Sequence, residues 1–222
     1  MDEIFIVSFH KQNSKEFKLE NSIKYKNWKE KIDASLTDVN IDVEKVDYFG
    51  KNVGFIKLRV SGVKDNGKPL SSIVMVRGDS VSVLVVVKTE KRKYYVVTKQ
   101  YRAPVGKWII ENPAGMMDEN QNPKGVALSE IEEELGIKLR GNDLKPLGEF
   151  YNSPGLLDEK TSIFFTEISM TEEQVNELRG KQTGVDTEDI IVEVLTKKEF
   201  LSQNESAISA LAFMKYKQYQ QV

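Results

Sequence analysis

Cysteine is absent from the 222-residue chain, and histidine occurs once, at His10. Without thiols the chain can form neither disulfides nor zinc sites with cysteine ligands, and a thiolate nucleophile is excluded as well. A single histidine rules out a multi-histidine metal site, and nothing around His10 indicates a Ser-His-Asp triad. Any catalysis must therefore use carboxylates, lysine, arginine, tyrosine or serine.

Long hydrophobic runs and a large net charge are also missing. The longest apolar run, Val83–Val87, is far shorter than the ~20 residues that cross a bilayer as a helix. The formal net charge of −2 gives no general attraction to nucleic acid or to anionic membranes. Asp2 and Glu3 are unfavourable at the start of a secretory signal or transit peptide. We therefore expect a cytoplasmic protein that binds neither nucleic acid nor membrane.

The first part of the chain has the pattern of a small β-rich region. A strand is predicted at Ile4–Phe9 and a helix at Ser22–Ile32, and β-branched and aromatic residues then mark further strands between turn signals. The predicted strands are Gly54–Val60, Ser72–Arg77, Val81–Thr89 and Lys93–Tyr101. We place a boundary between an N-terminal region, 1–78, and a larger domain, 79–222.

The second part alternates helices with strands, which is typical of the α/β class. Asn122 as N-cap, Pro123 at the first helical position and Gly136 as the stop predict a helix that ends near Leu135. The other predicted elements are strands at 145–151, 162–168 and 190–195 and helices at 171–178 and 205–219.

Three glutamates in the predicted helix indicate a cation site. Glu130, Glu133 and Glu134 are spaced i, i+3 and i+4, which places them on one face of an α-helix. Three neighbouring carboxylates repel each other unless a cation neutralises them, and ligation by oxygen alone favours Mg²⁺ or Mn²⁺ over zinc. The alternative is an ordinary glutamate-rich surface helix.

The segment from Gly115 to Ile137 resembles the Nudix box, G-x5-E-x7-R-E-U-x-E-E-x-G-U, where U is aliphatic. The resemblance implies a Nudix α/β/α sandwich with a mixed β-sheet. It further implies Mg²⁺, or Mn²⁺, held by the three glutamates and the backbone carbonyl of Ala114. The residues that match the box are Gly115, Glu130, Ile131, Glu133, Glu134, Gly136 and Ile137.

Two positions depart from the box. Gln121 stands where the family has a glutamate, and Ser129 stands where it has an arginine. In the family these two residues commonly form an ion pair. Loss of one member would leave an unmatched charge, whereas loss of both leaves two neutral residues, which is self-consistent. We therefore expect hydrolysis to be retained, and the alternative is a module that binds nucleotide sugars without cleaving them.

Segments outside the box are similar to the ADP-sugar pyrophosphatase branch of the family. They are Lys99–Gly106, Ile110–Gly115, Ser153-Pro154-Gly155 followed by Glu159, Gly180–Gly184, and Glu188–Ile190. This resemblance runs from about residue 80 to 196. It implies hydrolysis of ADP-ribose or ADP-glucose to AMP and a sugar phosphate, with UDP-glucose as a close alternative. It also implies a homodimer, since N-terminal regions in this branch usually pair or swap between subunits. The near-neutral charge disfavours an enzyme that processes RNA caps.

The same resemblance assigns roles to single residues, each with an ordinary structural alternative. Glu188 is the candidate general base, Glu159 is the alternative base, and Glu134 takes part in catalysis through its metal. The substrate-binding candidates are Arg102 for the pyrophosphate, Glu111 for ribose hydroxyls, Trp108 for stacking, and Pro154 and Gly155 for the loop over the sugar.

Overall fold

Two β-sheets, each covered by helices, make up the computed structural model of the protein. It describes residues 19–50, 52–117, 122–184 and 189–221. The predicted strand at Ile4–Phe9 lies outside these ranges, as do His10, Gln121 and Glu188. Within the described ranges, no helix combines the length and hydrophobicity needed to cross a bilayer.

The smaller sheet has three antiparallel strands in sequential order. They are β1 (Leu36–Phe49), β2 (Asn52–Lys64) and β3 (Pro69–Val76), and α1 (Ile23–Ser35) precedes them. Along β2, buried Ile56 and Leu58 alternate with exposed Lys57 and Arg59, which is the period of a sheet with one covered face. Trp28 of α1 packs into the same core. The sequence did not predict β1, because its apolar residues are diluted by charged ones.

The larger sheet contains the other eight strands. They are β4 (Ser80–Lys88), β5 (Lys93–Arg102), β6 (Lys107–Glu111), β7 (Ala114–Met116), β8 (Lys145–Tyr151), β9 (Lys160–Ser169), β10 (Gln182–Thr183) and β11 (Ile190–Thr196). The main order is β10-β11-β5-β4-β9-β8, with β6 beside β5 and β7 beside β4. Strands β4 and β9 run parallel and the other pairs are antiparallel, so the sheet is mixed.

Helices cover both faces of the larger sheet. They are α2 (Pro123–Glu130), which continues as a π-helical turn at Ile131–Leu135, α3 (Glu172–Leu178), α4 (Lys197–Gln203) and α5 (Ala207–Tyr219). Val83 and Val85 of β4 pack in the core with α2 and α3, whereas Leu84 and Val86 pack with α4 and α5. This arrangement confirms the predicted α/β/α sandwich with a mixed sheet.

Capping residues set the helix ends largely as the sequence predicted. The side chain of Asn122 accepts from the backbone N–H of Gly125, and Gly136 ends the π turn in the left-handed conformation. Helix α4 was missed, although Thr196 and Glu199 form a capping box at its start.

The segment between the two sheets is fastened to the loop that precedes β9. Asp158 Oδ1 accepts from the backbone N–H groups of Arg77, at 2.7 Å, and Gly78, at 3.2 Å. Arg77 Nη1 also pairs with Glu159 Oε2 at 2.7 Å, and Met75 N–H donates to the carbonyl of Leu156. The predicted boundary between residues 78 and 79 falls in this segment and stays a prediction.

Asp158 makes the stability of this junction dependent on pH. Burial raises the pKa of the Asp158 carboxyl, and nearby Asp79 adds to the effect, while the two backbone N–H groups and Lys31 oppose it. The folded protein therefore keeps this proton to a higher pH than the unfolded chain does. The contribution of Asp158 to the free energy of unfolding therefore falls as the pH rises from the pKa in the unfolded chain through the higher pKa in the folded protein.

We expect Asp158→Asn to flatten this dependence, because asparagine keeps an oxygen that can accept both N–H groups but does not titrate. The measurement is the melting temperature of both proteins between about pH 3 and about pH 7. The wild type should lose stability relative to the variant as the pH rises. Parallel curves would show that Asp158 has the same pKa in the folded and unfolded states.

Candidate functional site

Two glutamates of the acidic helix converge on the short strand β7. The side chain of Glu134 is buried, with 8% of the residue exposed, and its Oε2 accepts from the backbone N–H of Ala114 at 3.3 Å. The carboxylate of Glu130 lies directly against the backbone of Gly115, where any Cβ would overlap Oε1. Glycine at position 115 is therefore required for this approach.

The segment that receives these carboxylates is held from several sides. Ala114 and Gly115 pair with Ser82 and Val81 of β4, and the carbonyl of Pro113 accepts from Val83 N–H at 2.9 Å. Buried Ser209 on α5, beyond the opposite face of the sheet, accepts from the backbone N–H of Asn112, also at 2.9 Å. The sequence carried no signal for this role of Ser209.

The three glutamates that the sequence placed on one face lie on α2 and the π-helical turn that follows it. Gly136 N–H donates to the carbonyls of Glu132 and Ile131, so the α-helical spacing is interrupted just where Glu133 and Glu134 lie. Glu134 is buried, Glu130 is half-buried and Glu133 is exposed. Such turns within α-helices occur frequently at functional sites.

The segment before β11 contacts the end of this turn. The Thr183 hydroxyl donates to the main-chain carbonyl of Glu134 at 2.6 Å, and the ammonium group of Lys181 lies beside Gly136. Glu188, the candidate general base, follows in the chain but lies outside the described residues.

Three of the predicted substrate residues lie on the β5–β6 hairpin. Arg102 donates to Glu111 Oε2 from Nε, at 3.1 Å, and from Nη2, at 2.6 Å, so these two candidates form an ion pair with each other. Trp108 is 39% exposed, and its ring meets Tyr101 edge-on with the centroids 6.0 Å apart. The hairpin thus presents a guanidinium, a carboxylate and an accessible aromatic pair.

The remaining candidates lie in the loop that precedes β9. Pro154 and Gly155 are exposed and line a cavity of about 330 Å³, together with Trp28 of α1 and Ile73 of β3. Glu159 is 3% exposed and its carboxylate pairs with Arg77. The structure therefore gives Glu159 a cationic partner, and its role as a base stays a prediction.

The donors fit a hard divalent cation in their chemistry. Glu130 and Glu134 supply carboxylate oxygens beside the backbone of Ala114 and Gly115, and hard cations prefer oxygen ligands. In the described parts of the chain, no three His, Cys, Asp or Glu side chains are close enough together to hold a metal ion. Two of the predicted carboxylate ligands converge here. Glu133 is exposed, and its role as a ligand stays a prediction.

Comparison with known families and structures agrees with this geometry. The sequence profile of the NUDIX domain matches residues 77–219. The fold is similar to the crystal structure of an ADP compounds hydrolase, with a TM-score of 0.57 at 15% identity, covering 82% of this chain and 95% of that one. At this identity the likeness shows the fold alone.

Curated relatives are similar over much of the chain. Nudix hydrolase 14, chloroplastic, of Arabidopsis thaliana is 37% identical over 164 residues, 69% of this chain and 53% of that protein. The chain therefore spans about half the length of that relative. An ADP-ribose pyrophosphatase of Bacillus subtilis (strain 168) is 35% identical, covering 63% of this chain and 72% of that protein. An ADP-sugar pyrophosphatase of Mus musculus is 29% identical, with 56% of each chain covered.

We expect Gly115→Ala to weaken binding of Mn²⁺ at least about tenfold, because the new Cβ displaces the Glu130 carboxylate. Calorimetric titration with MnCl₂ measures this, and thermal melting confirms that the variant is folded. Gly141→Ala is the matched control, since a Cβ there meets no atom within 4 Å. Unchanged binding in Gly115→Ala would show that Glu130 does not need this position.

Proposed function

The chain belongs to the Nudix family, and we propose that it hydrolyses the pyrophosphate bond of a nucleoside diphosphate sugar. The proposed substrate is ADP-ribose or ADP-glucose, and the products are AMP and a sugar phosphate. The observation that carries the proposal is the convergence of Glu130 and Glu134 on Ala114–Gly115. The similarity to an ADP-ribose pyrophosphatase of Bacillus subtilis and an ADP-sugar pyrophosphatase of Mus musculus supports the substrate class.

A divalent cation, Mg²⁺ or Mn²⁺, is part of this proposal. Glu130 and Glu134 would hold it with the carbonyl of Ala114, and Glu133 would join them from its exposed position. When bound, such a cation neutralises charge on the pyrophosphate and lowers the pKa of a coordinated water. The protein's part is to keep two carboxylates together at one end of a buried strand pair.

The proton acceptor in this scheme is Glu188. The alternative base, Glu159, is paired with Arg77, whose guanidinium occupies the oxygen that would take the proton. We therefore favour Glu188, which follows the Thr183 segment that contacts the acidic helix.

The hairpin residues would bind the rest of the substrate. Arg102 presents a guanidinium fork that suits the pyrophosphate, and its present partner Glu111 would accept the ribose hydroxyls. Trp108 has exposed ring surface on which a base can stack. Pro154 and Gly155 would shape the loop on the sugar side, and this loop is anchored to the N-terminal sheet through Asp158.

We also propose that the protein is a cytoplasmic homodimer whose N-terminal region, 1–78, contributes to the interface. The exposed aromatic side chains of the smaller sheet, Tyr48 and Phe49, support a contact surface there. Sedimentation analysis of the full chain, compared with a variant carrying Phe49→Ser, tests this part separately from the chemistry.

We expect Glu134→Gln to lower the rate of product formation by more than about 100-fold, beyond the range seen for residues that only support metal ligands. The assay follows AMP or UMP from ADP-ribose, ADP-glucose and UDP-glucose in the presence of Mg²⁺. Glu132→Gln is the matched control on the same helix, because Glu132 is exposed and pairs with Lys138. It should stay within about twofold of the wild type.

The outcome also separates the alternatives. Cleavage of UDP-glucose in preference to the ADP-sugars would show that the preferred substrate is a uridine diphosphate sugar. If the wild type binds Mg²⁺ and an ADP-sugar but cleaves none of the three, the departures at Gln121 and Ser129 define a binding module instead.

Arg102→Ala should raise the KM for the preferred substrate about tenfold, since a charged hydrogen bond to phosphate contributes roughly 1.5–3 kcal/mol. Steady-state kinetics measure the KM and kcat of each variant. Lys107→Ala provides the control, because Lys107 lies on the same hairpin but pairs with Glu205 on the surface. Equal KM values for the two variants would remove Arg102 from the substrate site.

A further inference from the structure

The main-chain carbonyl of Glu134 receives a hydrogen bond from a side chain distant in sequence. Thr183 Oγ1 donates to it at 2.6 Å across 49 positions. The last four carbonyls of a helix lack intrahelical donors, and Glu134 is the next-to-last residue of its π turn. The Thr183 hydroxyl therefore supplies a hydrogen-bond donor to a carbonyl at the end of the helix.

The sheet fixes the position of the Thr183 hydroxyl. Thr183 pairs with Ile190 of β11, and Ile190 pairs in turn with Gln100 of β5. Two residues earlier, the ammonium group of Lys181 lies beside Gly136, at the helix end where a positive charge is favourable. The donor is thus tied to the larger sheet, while the acceptor belongs to the acidic helix.

Glu134 is consequently held at both ends. Its carbonyl accepts from Thr183 of β10, and its carboxylate accepts from Ala114 of β7, so two strands of one sheet fix one residue. The interruption of α-helical spacing in the π turn makes this useful, because the regular hydrogen-bond ladder alone does not set the direction of the Glu134 side chain.

We propose that Thr183 is a positioning residue that orients Glu134 for binding of a divalent cation. This rests on the proposed function only in taking Glu134 as a cation ligand. Thr183 itself touches neither cation nor substrate in this scheme. Its hydroxyl sets the main chain of Glu134, and the carboxylate follows.

The test compares Thr183→Val with Thr183→Ser. Valine has nearly the same shape but lacks the donor, whereas serine keeps it. We expect Thr183→Val to weaken Mn²⁺ binding about tenfold, which is the range for residues that support metal ligands, and Thr183→Ser to stay within about twofold. Calorimetric titration with MnCl₂ in the absence of substrate is the readout.

Thr166→Val is the matched control for the substitution itself. Thr166 is buried in the same domain, and its hydroxyl has no hydrogen-bond partner within the described parts of the chain. Its loss should leave Mn²⁺ binding unchanged. Thr183→Ala also removes the donor and should repeat the tenfold loss, so the proposal remains testable if valine prevents folding.

A purely structural role predicts a different result. Thr183→Val would then lower the melting temperature while Mn²⁺ binds as tightly as in the wild type, and this outcome would overturn the proposal. Equal weakening by the valine and serine variants would also overturn it. Since the readout is cation binding, the proposal can hold even if the wild type cleaves none of the nucleotide sugars. Failure of the proposed hydrolysis is therefore recognised separately.

Discussion

The contact of two carboxylates with the backbone at Ala114–Gly115 is the constraint on which the rest of the site depends. Placing like charges close together at a half-buried position costs free energy unless hydrogen-bond donors and a cation compensate. The chain provides a glycine where a Cβ would collide with Glu130 and an N–H group for Glu134. These backbone contacts bring the two carboxylates together, and in the proposed function a divalent cation would compensate their charge.

The sandwich makes this arrangement rigid. Strand β4 is buried on both faces from Ser80 to Val87, with helices packed on either side, and β7 pairs directly with it. Interiors packed at this density resist small displacements. A carboxylate that contacts β7 is therefore held in a fixed position relative to the centre of the domain. The hydrogen bond from Asn112 to Ser209 ties the same segment to α5, on the other side of the sheet.

The sequence predicted those helices and strands that are specified by local signals, such as capping residues and hydrophobic runs. Asn122, Pro123 and Gly136 marked the acidic helix, and buried β-branched runs marked the central strands. The charged strand β1 was missed because its pairing with β2 decides it, and the π turn was missed because its sequence also suits an α-helix. The contacts of Thr183 with Glu134 and of Arg77 with Glu159 join residues far apart in the chain, and periodicity in one sequence carries no information about them.

The pair formed by Arg102 and Glu111 bears on how the hairpin would receive a substrate. With 42% of the Arg102 side chain exposed, the pair is of the surface type, which contributes only about 0–1 kcal/mol. If a pyrophosphate replaced the Glu111 carboxylate as the partner of Arg102, the loss of the pair would therefore cost little free energy. The new anion would also carry more negative charge. The released Glu111 carboxylate would then be an acceptor beside the bound phosphates, where a sugar hydroxyl is a better partner than a second anion. In the proposed function this ion pair would separate when a nucleotide sugar supplied complementary groups.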